Sequence, residues 1–115
     1  MASFDISERI IGDVAVVTIR GDVTPGKIEG VLSKRMVALA SQGYRKQVLN
    51  LAGMPSIDSI GLGEIVRSYT TLTRQGAKMK LAAVPKRIVD LLHVTRLILA
   101  FDVRPTDEDA IASFK

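Results

Sequence analysis

The sequence predicts a mixed α/β domain with the element order β-β-α-β-α-β-α-β-α. Short runs rich in Val, Ile and Leu alternate with longer stretches whose apolar residues recur every three or four positions. Glycine or proline stands at most of the changes of period. Two strand-like runs come first, separated only by Gly12-Asp13, so the sheet opens on an antiparallel pair. The strand–helix alternation that follows implies right-handed crossovers and a mostly parallel sheet.

The elements follow in order. Residues 4–11, with Phe4, Ile6 and Ile10, carry the weakest strand signal. Residues 14–20 read Val-Ala-Val-Val-Thr-Ile-Arg, a β-branched strand closed by Gly21. Ile28, Val31, Leu32, Met36, Leu39 and Ala40 then share one helical face that ends near Gly43. Thr24-Pro25 suits the start of that helix, with Thr as cap and Pro as first helical residue. Residues 47–51 read as a short buried strand. A second amphipathic helix carries Leu62, Ile65, Val66, Tyr69 and Leu72 and stops at Gly76. Residues 79–84 form a strand, and Pro85 opens a third helix with Ile88, Leu91 and Leu92 on its face. A strand at 100–104 precedes a last helix from Thr106, whose first turn holds Asp107, Glu108 and Asp109, the favourable end of the helix dipole for acids.

Composition narrows the function. A chain of 115 residues, 47% hydrophobic and 24% charged, reads as one domain over residues 1–115 with a core of its own. It has no cysteine, which removes disulfides, thiolate metal sites and a thiol nucleophile. His93 is the single histidine, so no multi-histidine metal site exists and histidine-based catalysis is disfavoured. Neither metal nor cofactor is expected. Sixteen Lys+Arg against twelve Asp+Glu leave a net charge of +4, which permits an acidic partner. The basic residues are scattered from Arg9 to Lys115 and aromatics are only 4%, a poor pattern for direct nucleic-acid binding. The longest apolar run, residues 97–101, is far too short for membrane insertion. The N-terminus lacks the basic start and apolar core of a signal peptide, so the expected location is cytoplasmic. His93 reads as a packing or surface residue, and Met36 and Met79 as core. Lys78, Lys80, Lys86 and Arg87 read as solvated positions able to meet an acidic partner.

One segment stands apart, residues 55–63, Pro-Ser-Ile-Asp-Ser-Ile-Gly-Leu-Gly. It follows an apolar strand and enters the second helix, the end of a strand where α/β folds place their functional groups. A helix start offers unpaired N–H donors and a partial positive charge, which tolerate a phosphate. Gly61 and Gly63 each cost about 1 kcal/mol of helix propensity relative to alanine, and in return let another backbone or protein approach closely. Ser59 is the candidate phosphoacceptor there. The plain alternative is that Asp58 and Ser59 only cap the helix. As a nucleotide loop the segment has neither a Gly-x-Gly-x-x-Gly pattern nor a Gly-Lys-Ser/Thr ending.

Asp58-Ser59-Ile60-Gly61-Leu62-Gly63, set between the third strand and second helix, resembles the Asp-Ser-(Ser/Thr)-Gly-Leu-Gly signature of the STAS domain family. Within that family it is most similar to the bacterial anti-anti-sigma factors, or anti-sigma factor antagonists. The resemblance spans residues 4–113, with Gly21-Asp22 after the second strand and a Phe-Asp-Val-x-Pro-x-Asp-Glu-Asp-Ala cadence near the end. It implies a STAS-like mixed sheet with helices packed against it, and a partner switch rather than an enzyme. In that family a GHKL-type serine kinase, which is also the anti-sigma factor, phosphorylates the serine after the Asp. The unphosphorylated domain sequesters the kinase and frees the sigma factor, and a serine phosphatase resets the cycle. Carried over by position, Ser59 is the phosphoacceptor. Asp58, Ile60, Gly61, Gly63, Gly21, Asp22 and Thr24 then belong to the docking face.

Two departures stand out. Ile60 replaces the family's usual second hydroxyl, and Thr24 stands where many members carry a second acid, so both bear on partner choice. Two other readings are compatible with the residues. One is a STAS scaffold docking on a transporter or stress-sensing complex without phosphorylation. The other is a small nucleotide-binding domain, whose saturable nucleotide binding would be lost on changes at Asp58 or Gly61. The oligomeric state is not legible in the sequence.

Overall fold

The computed structural model describes residues 4–21, 28–55 and 57–114. Its five strands are β1 (Phe4–Ile11), β2 (Val14–Gly21), β3 (Lys46–Gly53), β4 (Lys78–Ala82) and β5 (Val103–Arg104). They form one sheet in the order β1-β2-β3-β4-β5. β1 runs antiparallel to β2, and β2 to β5 run parallel. Gly12, at φ +62, takes the left-handed turn conformation that lets Ile11 pair with Val14 across a two-residue loop. The helices are α1 (Val31–Ser41), α2 (Ser59–Arg74), α3 (Lys86–Val94) and α4 (Asp107–Ala112).

Strand order explains where the helices sit. Each parallel strand adds on the same side of the one before it, so right-handed crossovers place α1, α2 and α3 on one face. That face holds the main core: Ala15, Val17 and Ile19 from β2 and Leu49 and Leu51 from β3, covered by Leu32, Met36, Ile65, Leu72, Ile88 and Leu92. The alternate residues Val14, Val16, Val48 and Ala82 form a second, smaller core beneath Ala110, Ile111 and Phe114 of the α4 region. α4 follows the last strand and makes no crossover, so it is free to cover the opposite face. β2 is therefore buried on both sides, which is why it reads as a nearly continuous apolar run.

Three expectations need correction. The helix that carries the Ile28–Ala40 stripe begins at Val31, with Gly30 at its cap position in the left-handed region, and not at Thr24-Pro25. Thr24 and Pro25 themselves lie outside the described residues. The last strand is also shorter than residues 100–104. Leu97–Leu99 forms a 3₁₀ turn, Phe101 is drawn into the core against Tyr69 with ring centroids 5.1 Å apart, and only Val103 and Arg104 pair with β4. Lys80 is likewise not simply solvated, since its ammonium bonds Asp102 at 2.7 Å and lies over the Phe114 ring. His93 is exposed.

Gly53 is required by packing. A Cβ there would stand 2.6 Å from Arg20 Cγ and 3.1 Å from Arg20 Cα, at the register shift between β2 and β3. Gly53→Ala is therefore expected to cost about 1–3 kcal/mol through overpacking. Urea unfolding measures this, and adding Arg20→Ala, which removes the tightest contact, should recover part of the loss.

A second expectation concerns acid. Asp102 accepts from Arg104 Nε and Lys80 Nζ, each at 2.7 Å, and these partners, Arg104 first, hold its carboxyl below the usual range. A depressed folded-state value contributes stability above the unfolded pKa of about 3.9, lost as pH falls through the folded value. Asp102→Asn should lower the melting temperature at pH 7, by a modest amount because the carboxylate is partly exposed. The gap to the parent should close as pH drops below about 4.

Candidate functional site

The carboxyl ends of β2 and β3 meet the start of α2 at one end of the sheet. β3 ends at Gly53, Met54 turns into the core, and the chain reaches α2 through Ile57 and Asp58. Asp58 is the cap of α2, in extended conformation at φ −98 and ψ −178. Its Oδ1 accepts the Gly61 N–H at 2.8 Å, and its carbonyl accepts the Leu62 N–H at 2.9 Å. Capping is thus the work of Asp58. Ser59 is the first helical residue, exposed, with a hydroxyl that makes no hydrogen bond among the described residues. Ile60 beside it is 38% exposed.

The two glycines of the motif differ. Gly61 is buried, and a Cβ on it would come within 2.9 Å of Ile57 Cγ1, so the fold itself accounts for this glycine. Gly63 is exposed, and a Cβ there would meet nothing within 4 Å. Only Gly63 leaves outer surface open to a close approach. Gly21 closes β2 at φ +98, at the same end of the sheet, because Arg20 pairs with Gly53 in the parallel ladder. The structure therefore gathers Gly21 and residues 58–63 at the carboxyl end of the strands, while Asp22 and Thr24 lie outside the described residues.

Sequence reasoning missed Glu64. Its side chain is buried, with the residue 2% exposed, and it bonds the start of α1. Oε1 accepts the Gly30 N–H at 2.9 Å and Oε2 the Ser33 N–H at 2.8 Å. Gly30 has no side chain to cap α1, so a carboxylate from α2 takes that role. Ser68 Oγ donates to the Glu64 carbonyl at 2.9 Å. One signal for this was present: Glu64 lies three residues after Gly61 and four before Ser68, inside the buried stripe of its helix. Glu64 thereby locks the start of α1 to the first turns of α2, the helix that displays Ser59.

Among the described residues, no group of three or more His, Asp or Glu is placed to hold a metal, and no helix is long and apolar enough to cross a membrane. Grooves of about 440 and 250 Å³ lie elsewhere, and none of residues 58–63 lines them.

A family model of the STAS domain matches residues 5–110. The chain belongs to the STAS domain family. This STAS chain is 30% identical over 81 residues to the anti-sigma-B factor antagonist of Bacillus subtilis (strain 168), an overlap of 70% of this chain and 73% of that protein. Among solved structures it superposes on an anti-sigma factor antagonist from Mycobacterium paratuberculosis with a TM-score of 0.82 at 21% identity, covering 96% of this chain and 93% of that one. The Bacillus cell fate determinant SpoIIAA in its phosphorylated form gives 0.71 at 15% identity, over 98% of this chain and 100% of that one. These structures share its fold, the mixed sheet with helices against it.

Proposed function

We propose that this STAS domain is an anti-sigma factor antagonist, a binding module and not an enzyme, whose grip on its partner is switched by phosphate on Ser59. The observation that carries this reading is the spare, exposed Ser59 hydroxyl at the first turn of α2, next to an aspartate that already caps the helix. It is further supported by the relative named an anti-sigma-B factor antagonist and by the likeness to SpoIIAA in its phosphorylated form. The partner is a GHKL-type anti-sigma factor and serine kinase, with a serine phosphatase for the return step, in the cytoplasm. In the forward step Ser59 Oγ bonds the γ-phosphorus of ATP, the bond to the leaving ADP breaks, and the hydroxyl proton passes to a base of the kinase. Gly21, Asp22, Thr24, Asp58, Ile60 and Gly63 form the docking face around it, and Gly61 shapes the loop from inside.

The physics of the switch is local. Phosphate adds about −1.5 to −2 charges where α2 presents its positive end, so the fold tolerates it. At an interface the same charge must shed water beside the Asp58 carboxylate, and binding suffers. Gly63 supplies an independent check. Gly63→Ala should stabilise the isolated domain by about 0.5–1 kcal/mol through helix propensity, yet weaken the partner if Gly63 is covered by it. Thermal melts and a binding titration on one sample separate the two effects.

The direct experiment uses the chain as bait in lysate of its own source, beside Ser59→Ala and Ser59→Asp, with mass spectrometry of what is held. Capture of a kinase-like anti-sigma factor by the parent and Ser59→Ala, and its loss with Ser59→Asp, is the expected result. Equal capture of a transporter or stress-complex subunit by all three would instead make the domain a constitutive scaffold. A nucleotide-binding reading has less support, because the Asp58 carboxylate and the Gly61 N–H it would need are bonded to each other.

A further inference from the structure

β4 is longer than the strand on its outer side. Leu81 and Ala82 pair with Val103 and Arg104, whereas Lys78, Met79 and Lys80 have β3 on one side and no strand on the other. The Lys78 N–H donates inward to the Arg45 carbonyl, while the Leu81 and Ala83 N–H groups donate outward to the Asp102 and Arg104 carbonyls. Main-chain groups alternate along a parallel strand, so the N–H and C=O of Met79 also point outward. There they meet no partner among the described residues.

A groove of about 440 Å³ runs along this open edge, with Tyr69, Ala77, Met79 and Ala100 as its apolar lining. Leu99, the chain neighbour of Ala100, is 83% exposed. Lys80 and Asp102, also in the lining, are paired with each other at 2.7 Å. The Lys78 side chain is exposed and its ammonium has no hydrogen-bond or ion-pair partner among the described residues, which leaves a net positive rim.

We infer that the Lys78–Lys80 edge is a second docking site, which takes an extended acidic segment of a partner protein as an added strand. Each feature selects that occupant. Outward N–H and C=O groups on one residue are met together by a strand and left unmet by a helix or a lipid chain. The apolar groove takes the inward side chains of such a strand, and the unpaired Lys78 ammonium favours carboxylates on it. Lys78 pairs with Lys46 at the start of β3, whereas Ser59 follows its far end, so the two sites lie at opposite ends of the sheet and can be filled at once.

The test titrates the full chain, followed by amide NMR, with a short capped peptide of alternating glutamate and valine, and with its lysine–valine counterpart. The expected result is a shift of the Met79 amide and slower hydrogen exchange there with the acidic peptide, and at least about tenfold weaker binding to Lys78→Glu. Lys78→Ala should show an intermediate loss. Equal binding of the two peptides, no binding at millimolar peptide, or shifts confined to the β1 edge would overturn the inference. So would Met79 protection without peptide in a self-associated sample, which would make the occupant a second copy. The same titration on Ser59→Asp should be unchanged, so this site and the phosphate switch stand or fall separately.

Discussion

A chain carrying phosphate on Ser59 is expected to bind the proposed anti-sigma partner at least about a hundredfold more weakly than the unmodified chain, while its melting temperature stays within a few degrees. The two halves of this expectation come from different sides of the same residue. Towards its own fold, Ser59 sits at the first helical position, where the Ser59 and Ile60 N–H groups have no acceptor among the described residues, and its hydroxyl leaves no internal bond behind when modified. Towards a partner, the phosphate and the Asp58 carboxylate crowd one surface with like charge, and both must be desolvated on docking. A loss of about 3 kcal/mol corresponds to about two orders of magnitude in affinity. Calorimetric titration of purified partner with unmodified, phosphorylated and Ser59→Ala chains decides the matter. Ser59→Ala should bind like the parent. If phosphorylated and unmodified chains bind within threefold of each other, Ser59 is not the switch.

Removing the Glu64 carboxylate should damage the fold strongly. Glu64→Ala leaves the Gly30 and Ser33 N–H groups of α1 without the acceptors they have now, in a place where water reaches poorly. Two lost bonds to a charged acceptor, with the donors left unmet, come to about 2–4 kcal/mol. For a domain of this size the melting temperature should drop on the order of 10 °C. Glu64→Gln is no rescue, because both carboxylate oxygens accept and the amide would turn a donor towards an N–H. Glu64→Asp shortens the reach and should fall between parent and alanine. Urea unfolding of the three variants measures the series, and a Glu64→Gln chain within 0.5 kcal/mol of the parent would refute the capping role. Partner affinity should fall as well, because Glu64 sets how the start of α1 sits beside the helix that shows Ser59.

How much of this was legible without coordinates differs by element. The first four strands, the helix faces and the hairpin at Gly12-Asp13 were readable because each rests on neighbours in the chain, where spacing maps directly onto geometry. The start of α1 was not. Thr24-Pro25 is a good local start signal, but the helix begins at Val31, with its cap supplied by Glu64 from another helix, and local spacing marks Glu64 as buried without reporting its partner. The last strand misread for a similar reason. Residues 97–101 are apolar enough for a strand, and Phe101 instead turns into the core against Tyr69. In the motif, sequence left Asp58 and Ser59 as equivalent caps, and the Gly61 N–H bond to Asp58 separates them.

By itself, then, the chain determined its element order, the parallel sense of its later strands and the Asp58–Gly63 segment at a helix start, all consequences of short-range periodicity and turn chemistry. Tertiary structure alone decided three things: that α4 covers the opposite face from the other helices, that Gly61 packs inward while Gly63 faces out, and that Glu64 joins α1 to α2. Each depends on which surfaces meet across the sheet, a matter of packing between residues far apart in sequence. Contacts of that range leave no spacing for a single sequence to display.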